Sequence, residues 1–164
     1  CIKHQEEFKF GEHKVRAFHT PGHTLGHMVY HFEELGIAFV GDTLFALGCG
    51  RLFEGTPSQM LKSLDIIKKW PDDTKLFCAH EYTQANAEFA VTVDSNNQDL
   101  LERKRVIEKL RKNNQPTVPT TVALEKKTNP FLRANNSDIK AQLGMAQSSD
   151  VETFDEIRKR KDNF

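Results

Sequence analysis

Three short stretches of the chain place a metal-capable side chain beside turn-forming residues: Thr20-Pro21-Gly22-His23, Gly41-Asp42-Thr43 and Cys78-Ala79-His80-Glu81. Imidazole nitrogen and carboxylate oxygen are ordinary zinc ligands, and a neighbouring glycine lets the backbone turn tightly enough to aim a ligand at a shared point. Taken singly, the His or Asp of each stretch is more often a loop cap or a surface residue than a ligand, so the three carry weight only together. His23 and His27 stand four apart, as in a zinc-protease helix, but Gly26 lies between them and the H-E-x-x-H glutamate is missing, so His27 reads as structural. His4, His13 and His31 lie among polar neighbours and read as solvated surface. His19 reads as a loop residue supporting a ligand from behind. Cys1, Cys49 and Cys78 show no Cys-x-x-Cys spacing, which argues against a disulfide framework or a zinc ribbon and for reduced thiols, with Cys78 in the core.

Ligands of this kind collect at strand ends, and the surrounding pattern supplies strands. Val15 and Ala17 alternate with Lys14 and Arg16, and Met28 to Phe32 and Ile37 to Val40 are short β-rich runs, giving three strands before Gly41. Thr56 then reads as an N-cap, with Pro57 at the first helical position and Gln59 closing a capping box. Met60, Leu61, Leu64 and Ile67 follow on one helical face, and Pro71 ends the helix. Lys75 to Ala79 reads as a buried strand that delivers His80, so strand, helix and strand predict an α/β layer arrangement. From Ala85 the character changes to long polar helices, Glu88 to Val93 and Gln98 to Lys112, with no further strand expected. Pro116 to Pro119 reads as a stiff extended link and Asn129-Pro130 as a turn. Val151, Phe154 and Ile157 form the inner face of a last helix. The predicted division is an α/β unit over residues 1–84 and a helical unit over 85–164.

Lys plus Arg equals Asp plus Glu at 23 each, which argues against a polyanionic partner such as nucleic acid. No run approaches the roughly 18 apolar residues of a membrane helix, and the start has no apolar signal core, so a cytoplasmic protein is expected. The absence of Met at position 1 reads as an incomplete chain.

The joint wording of the motifs is more specific than any one of them. Thr20-Pro21-Gly22-His23-Thr24-Leu25-Gly26-His27 followed by Gly41-Asp42-Thr43-Leu44-Phe45 resembles the third and fourth metal motifs of the metallo-β-lactamase superfamily. Five further stretches narrow the resemblance to the glyoxalase II family: Gly48-Cys49-Gly50-Arg51, His80-Glu81-Tyr82-Thr83, Pro116-Thr117-Val118-Pro119, Asn129-Pro130-Phe131 and Arg158-Lys159-Arg160-Lys161-Asp162. The resemblance implies the C-terminal part of an αββα sandwich followed by an α-helical domain that binds glutathione. It implies hydrolysis of the thioester S-D-lactoylglutathione to glutathione and D-lactate, in methylglyoxal detoxification. Two divalent metal ions are implied, zinc first, with iron or manganese acceptable to the same ligands. His23 would ligate the first metal, Asp42 would bridge both, and His80 would ligate the second. A water held between the metals would become the nucleophile at neutral pH, leaving no catalytic task for Cys49.

For the substrate, the resemblance implies that Arg51, Arg158 and Lys161 hold glutathione carboxylates and that Tyr82 hydrogen-bonds its cysteinyl portion. Phe53 stands where some members carry tyrosine, so a hydroxyl contact is lost there. The family's H-x-H-x-D-H segment, source of the other metal ligands, is missing, since no two histidines here stand two residues apart. That segment would lie upstream. Without it, metal binding by this chain alone is expected to be weak, turnover negligible, and the strands of Lys14 to Val40 to expose apolar surface. The intact protein is expected to be a monomer. Two rivals remain: a persulfide-dioxygenase-like member of the superfamily, which uses one iron, and an inactive fragment that only binds glutathione conjugates.

Overall fold

The computed structural model describes residues 2–164; the expected thiol at Cys1 lies outside them. The chain opens as an antiparallel meander of β1 (Glu7–Phe10), β2 (His13–His19), β3 (Met28–Phe32) and β4 (Ile37–Gly41). A two-stranded hairpin, β5 (Leu44–Phe45) and β6 (Gly48–Cys49), leads to helix α1 (Pro57–Lys68), and β7 (Lys75–Cys78) returns to the sheet parallel to β4. The remainder is helical, with α2 (Thr83–Val93) and α3 (Gln98–Lys112), then the two-residue strand β8 (Thr120–Thr121), and finally α4 (Val122–Thr128), α5 (Ser137–Gln142) and α6 (Asp150–Asp162). The main sheet runs β1-β2-β3-β4-β7-β8.

Two strands depart from the sequence reading. β1 adds a fourth strand before Gly41, pairing Phe8 with Val15 and Glu7 with Arg16, whose side chains form an ion pair across the ladder. Its alternation of charged and aromatic residues is too short to register as a period. β8 lies within the segment expected to hold no strand, and pairs Thr120 with Leu76 and Thr121 with Lys75, so the helical half extends the sheet's edge.

Helix α1 starts as its sequence dictates. Thr56 Oγ1 accepts from the Gln59 amide at 3.3 Å while the Thr56 amide donates to Gln59 Oε1 at 2.9 Å, with Pro57 at the first turn. Met60, Leu64 and Ile67 are wholly buried and share one core with Phe18, Val29, Ala38, Val40 and Leu76 of the sheet. Phe154 and Ile157 of α6 join that core, with α6 packed on α1. Leu100 and Ile107 of α3 meet Ala87 and Ala90 of α2 and Leu47 in a second cluster.

His31 is a correction. Expected at the solvated surface, it is 5% exposed and stacks on Trp70 with ring centres 4.3 Å apart. It lies at the register position opposite Ala38, on the helix-covered face, and Trp70 at the end of α1 covers it. Among the described residues, no helix is long and apolar enough to cross a membrane.

Candidate active site

The parallel pairing of β4 with β7 sets Gly41 opposite Cys78, so the residues that follow both strands emerge side by side. His80 Nε2 consequently stands 3.2 Å from Asp42 Oδ1. His23, in the loop after β2, places Nδ1 2.9 Å from the Arg51 carbonyl oxygen. A carbonyl can only accept, so this nitrogen carries the proton and Nε2 is left with a free lone pair.

Behind Asp42 stands His27. The Asp42 amide donates to His27 Nε2 at 3.1 Å, which puts the ring proton on Nδ1, facing Thr43 Oγ1 at 3.0 Å and Thr20 Oγ1 at 3.3 Å. Burial pushes the His27 pKa down, against a smaller upward pull from Asp42, so the ring is a neutral prop for the Asp42 backbone. Gly50 is fixed by close approach: a Cβ there would sit 2.1 Å from the Asp42 carbonyl oxygen and 3.0 Å from His23 Nδ1.

The donor chemistry of His23, Asp42 and His80 fits a divalent metal, and the free Nε2 of His23 and the paired Asp42 and His80 are what such an ion would use. Their grouping is looser. Among the described residues, no three His, Cys, Asp or Glu side chains converge tightly enough to hold an ion. The His23 ring instead leans on Phe53, at 4.9 Å between centres, while His80 stacks on Tyr82 at 4.8 Å.

A second group of charges lies on α6 and the loop after β6. Arg158 is 5% exposed, and its guanidinium is already engaged: Nη1 donates to the Cys49 carbonyl at 3.0 Å, and Nε and Nη2 donate to Asp162 Oδ1 at 3.1 and 2.8 Å. Arg51 Nε is 3.7 Å from the same oxygen. Lys161 donates to the Ala85 carbonyl at 3.2 Å and lies over the rings of Phe89 and Phe164. Its pKa is lowered by burial and then by Arg158. Burial raises the Cys49 thiol to about 11, so it holds no thiolate at neutral pH.

Both groups open on one cleft of about 610 Å³. His23, Asp42, Arg51, Phe53, His80, Tyr82, Arg158 and Lys161 all line it, although they span residues 23 to 161 of the sequence. Phe45, Asn86, Asp162 and Phe164 also line it and were assigned no role from sequence. Of these Phe45 and Asp162 carried a signal, as the last residues of the Gly41–Phe45 motif and the Arg158–Asp162 run.

Comparison with known proteins decides the family. Residues 81–164 match the model described as the hydroxyacylglutathione hydrolase C-terminus, and residues 1–80 match that of the metallo-beta-lactamase superfamily. A hydroxyacylglutathione hydrolase of Maricaulis maris is 53% identical over 99% of the chain, and one of Rhizobium meliloti is 54% identical over the same share. The chain belongs to the hydroxyacylglutathione hydrolase family.

The chain spans 64% of the length of these curated hydroxyacylglutathione hydrolases. Two solved structures share its fold. ETHE1 from Myxococcus xanthus superposes with a TM-score of 0.61 at 23% identity, covering 96% of this chain and 50% of that one. A metallo-beta-lactamase from Staphylococcus aureus gives 0.55 at 22% identity, covering 98% and 42%. The architecture is thus the C-terminal part of the metallo-β-lactamase fold with the hydroxyacylglutathione hydrolase helices appended. Its superfamily implies divalent metal ions as a class. The two family matches meet between His80 and Glu81, in the loop that supplies His80 and Tyr82 to the cleft.

Proposed function

We propose that this chain is the cleft-bearing part of a thioesterase that hydrolyses S-D-lactoylglutathione to glutathione and D-lactate, removing methylglyoxal. The observation that carries the reading is one cleft lined both by the metal-type donors His23, Asp42 and His80 and by the cations Arg51, Arg158 and Lys161. Glutathione is a peptide with two carboxylates, and cations remote from the reacting carbonyl suit its recognition. Arg51 and Lys161 are the cations with the more exposed heads, and Arg158, held by Cys49 and Asp162, contributes buried positive charge.

His23, Asp42 and His80 would hold the divalent metals, zinc first, which when bound would activate water and polarise the thioester carbonyl. Asp42 is kept in place by His27 behind it, and His23 by the Arg51 carbonyl. The departing thiol has an ordinary pKa of about 8.5, so no strong general acid is required of the protein. Tyr82, stacked on His80, lines the same cleft, where it can orient the peptide. The partner is therefore a small glutathione thioester rather than nucleic acid or membrane, in a cytoplasmic, monomeric protein.

The persulfide-dioxygenase-like alternative draws only on shared fold. A glutathione-conjugate binder without turnover draws on the loose grouping of His23, Asp42 and His80. The hydrolase and the binder readings are separated by joining this chain to the remaining portion of its Maricaulis maris relative and assaying thioester hydrolysis with zinc. Hydrolysis is expected from the joined protein, with at most one weakly bound metal and negligible turnover from the 164-residue chain alone. A metal-loaded joined protein that binds glutathione but leaves the thioester intact would overturn the hydrolase reading. In the same background, Asp42→Asn is expected to lower kcat at least about 100-fold with KM little changed, because one anion would neutralise both metals.

A further inference from the structure

The helical half does more than line the cleft. Residues 45–48 form the turn of the β5–β6 hairpin and run directly into Cys49, Gly50 and Arg51, which make one wall of the cleft. The polar backbone groups of this turn are met by three side chains from the helical half. Asn86 Nδ2 donates to the Ala46 carbonyl at 3.0 Å, Asn129 Nδ2 donates to the carbonyls of Gly48 at 3.0 Å and Phe45 at 3.3 Å, and Glu125 Oε2 accepts from the Leu47 amide at 2.9 Å. Glu125 and Asn129 are both 0% exposed, and Glu125 is held in turn by Arg103, by Thr120 Oγ1 at 2.6 Å and by Asn129 Nδ2 at 2.9 Å.

Leu47 has φ of +61°, a left-handed conformation that a leucine rarely adopts. Such a conformation persists where the surroundings over-determine it, and here its amide is aimed at a buried carboxylate. Strands of two residues cannot hold a hairpin by themselves. Gly48 admits the grip, since a Cβ there would stand 2.6 Å from Asn86 Nδ2.

We propose that Asn86, Glu125 and Asn129 are positioning residues: by fixing the 45–48 turn they set where Arg51 stands in the cleft and the carbonyl against which His23 is oriented. The Asn129-Pro130-Phe131 motif thereby gains a task, with Asn129 donating to the turn and its Oδ1 capping the Phe131 amide at 3.0 Å. Arg158 holds the same loop from the other side through the Cys49 carbonyl. The inference rests on reading the cleft as a glutathione site.

Asn129 does not line the cleft, so a change in affinity on its substitution is transmitted rather than direct. The test uses the 164-residue chain, with reduced glutathione as the calorimetric probe, well below the melting temperature and with folding checked by circular dichroism. Asn129→Ala is expected to weaken glutathione binding about tenfold. The amides of Leu47, which donates to Glu125, and of Phe53, which donates to the His23 carbonyl, should lose protection from hydrogen exchange, while those of β3 and β4 keep theirs. Affinity and Leu47 protection both within about twofold of the parent would overturn the proposal. Should Asn129→Ala fail to fold, Asn86→Ala is read by exchange protection at Leu47 and Phe53 alone, because Asn86 itself lines the cleft. Loss supports the proposal, retention refutes it, and Asn86→Gln, which keeps the amide donor, is expected to restore part of the protection. If the parent chain binds no glutathione, the reading of the cleft falls. The exchange pattern at Leu47 and Phe53 alone then decides the positioning role, loss in the variant supporting it and retention refuting it.

Discussion

On one face of the sheet, Phe18, Val29, Ala38, Val40 and Leu76 are at most 8% exposed beneath Met60, Leu64 and Ile67 of α1. On the opposite face, Phe8, Phe10, Tyr30, Phe32, Phe39 and Phe77 lean on one another, with ring centres 6.2 Å apart for Phe8 and Tyr30 and 5.4 Å apart for Phe39 and Phe77. Phe10 and Phe39 nevertheless remain 69% and 45% exposed. The two faces are similar in apolar content and differ in burial. Hydrophobic stabilisation follows area removed from water, so the covered face carries the fold while the aromatic face contributes mainly contacts among its own rings. The ends of β4 and β7, from which Asp42 and His80 emerge, inherit their rigidity from the covered side.

The largest effect is expected on that side. Leu64→Ala removes a wholly buried side chain from the core that joins α1 to the sheet and should cost about 2 to 5 kcal/mol in urea unfolding, including the cavity left behind. A loss under about 1 kcal/mol would mean that α1 does not anchor the sheet, and the contrast between the faces would collapse.

Much of this arrangement was legible beforehand, and the failures have physical causes. The capping box at Thr56 to Gln59 is local chemistry and reads directly from sequence. The eight cleft residues were legible through motif wording, not spacing, because strand ends far apart in sequence meet only through sheet register. His31 was misread because its sequence neighbours Tyr30 and Phe32 occupy the other face, and what covers it, Trp70, is supplied from the far end of α1. The engagement of Arg158 by Asp162 looks in sequence like an ordinary pair one helical turn apart, and its burial against Cys49 is a tertiary fact. Glu125 and Asn129 gave no sign that they grip a turn some 80 residues earlier, since buried polar partners leave no period in the chain.

A smaller effect should appear as a pH dependence to which the covered face contributes through His31. Burial pushes the His31 pKa below its ordinary 6.5, with Glu33 opposing and Arg16 adding to the shift. The unfolded chain therefore takes up a proton near pH 6.5 that the folded chain refuses until lower pH. Stability from this group is present in full above that value and is lost as pH falls through the folded pKa. His31→Gln should flatten the part of the stability profile below pH 6.5 that His31 contributes, leaving the share of His27, which is shifted the same way. An unchanged slope between parent and variant would show that His31 is not held neutral against Trp70.

The smallest effect on stability is expected from the aromatic face, where it is also the most informative. Phe39 sits at the centre of that face, opposite Tyr30 on one side and Phe77 on the other, and its ring touches Phe32 and Phe77. Phe39→Thr introduces a β-branched residue suited to the strand and removes a ring that is 45% exposed, so most of what it gives up is contact with its two neighbours. Urea unfolding should shift by no more than about 1 kcal/mol, a fraction of the Leu64→Ala loss. Binding of a hydrophobic dye, however, should fall clearly, because the residues around Phe39 form a recess lined by Phe8, Phe10, Val15, Tyr30 and Phe32 with no charged side chain between them. A small change in stability accompanies a clear fall in dye binding only if the face is apolar and open at once. A stability loss as large as that of Leu64→Ala, or dye binding equal to the parent's, would mean that Phe39 is shielded, and that the two faces differ less in solution than their exposure indicates.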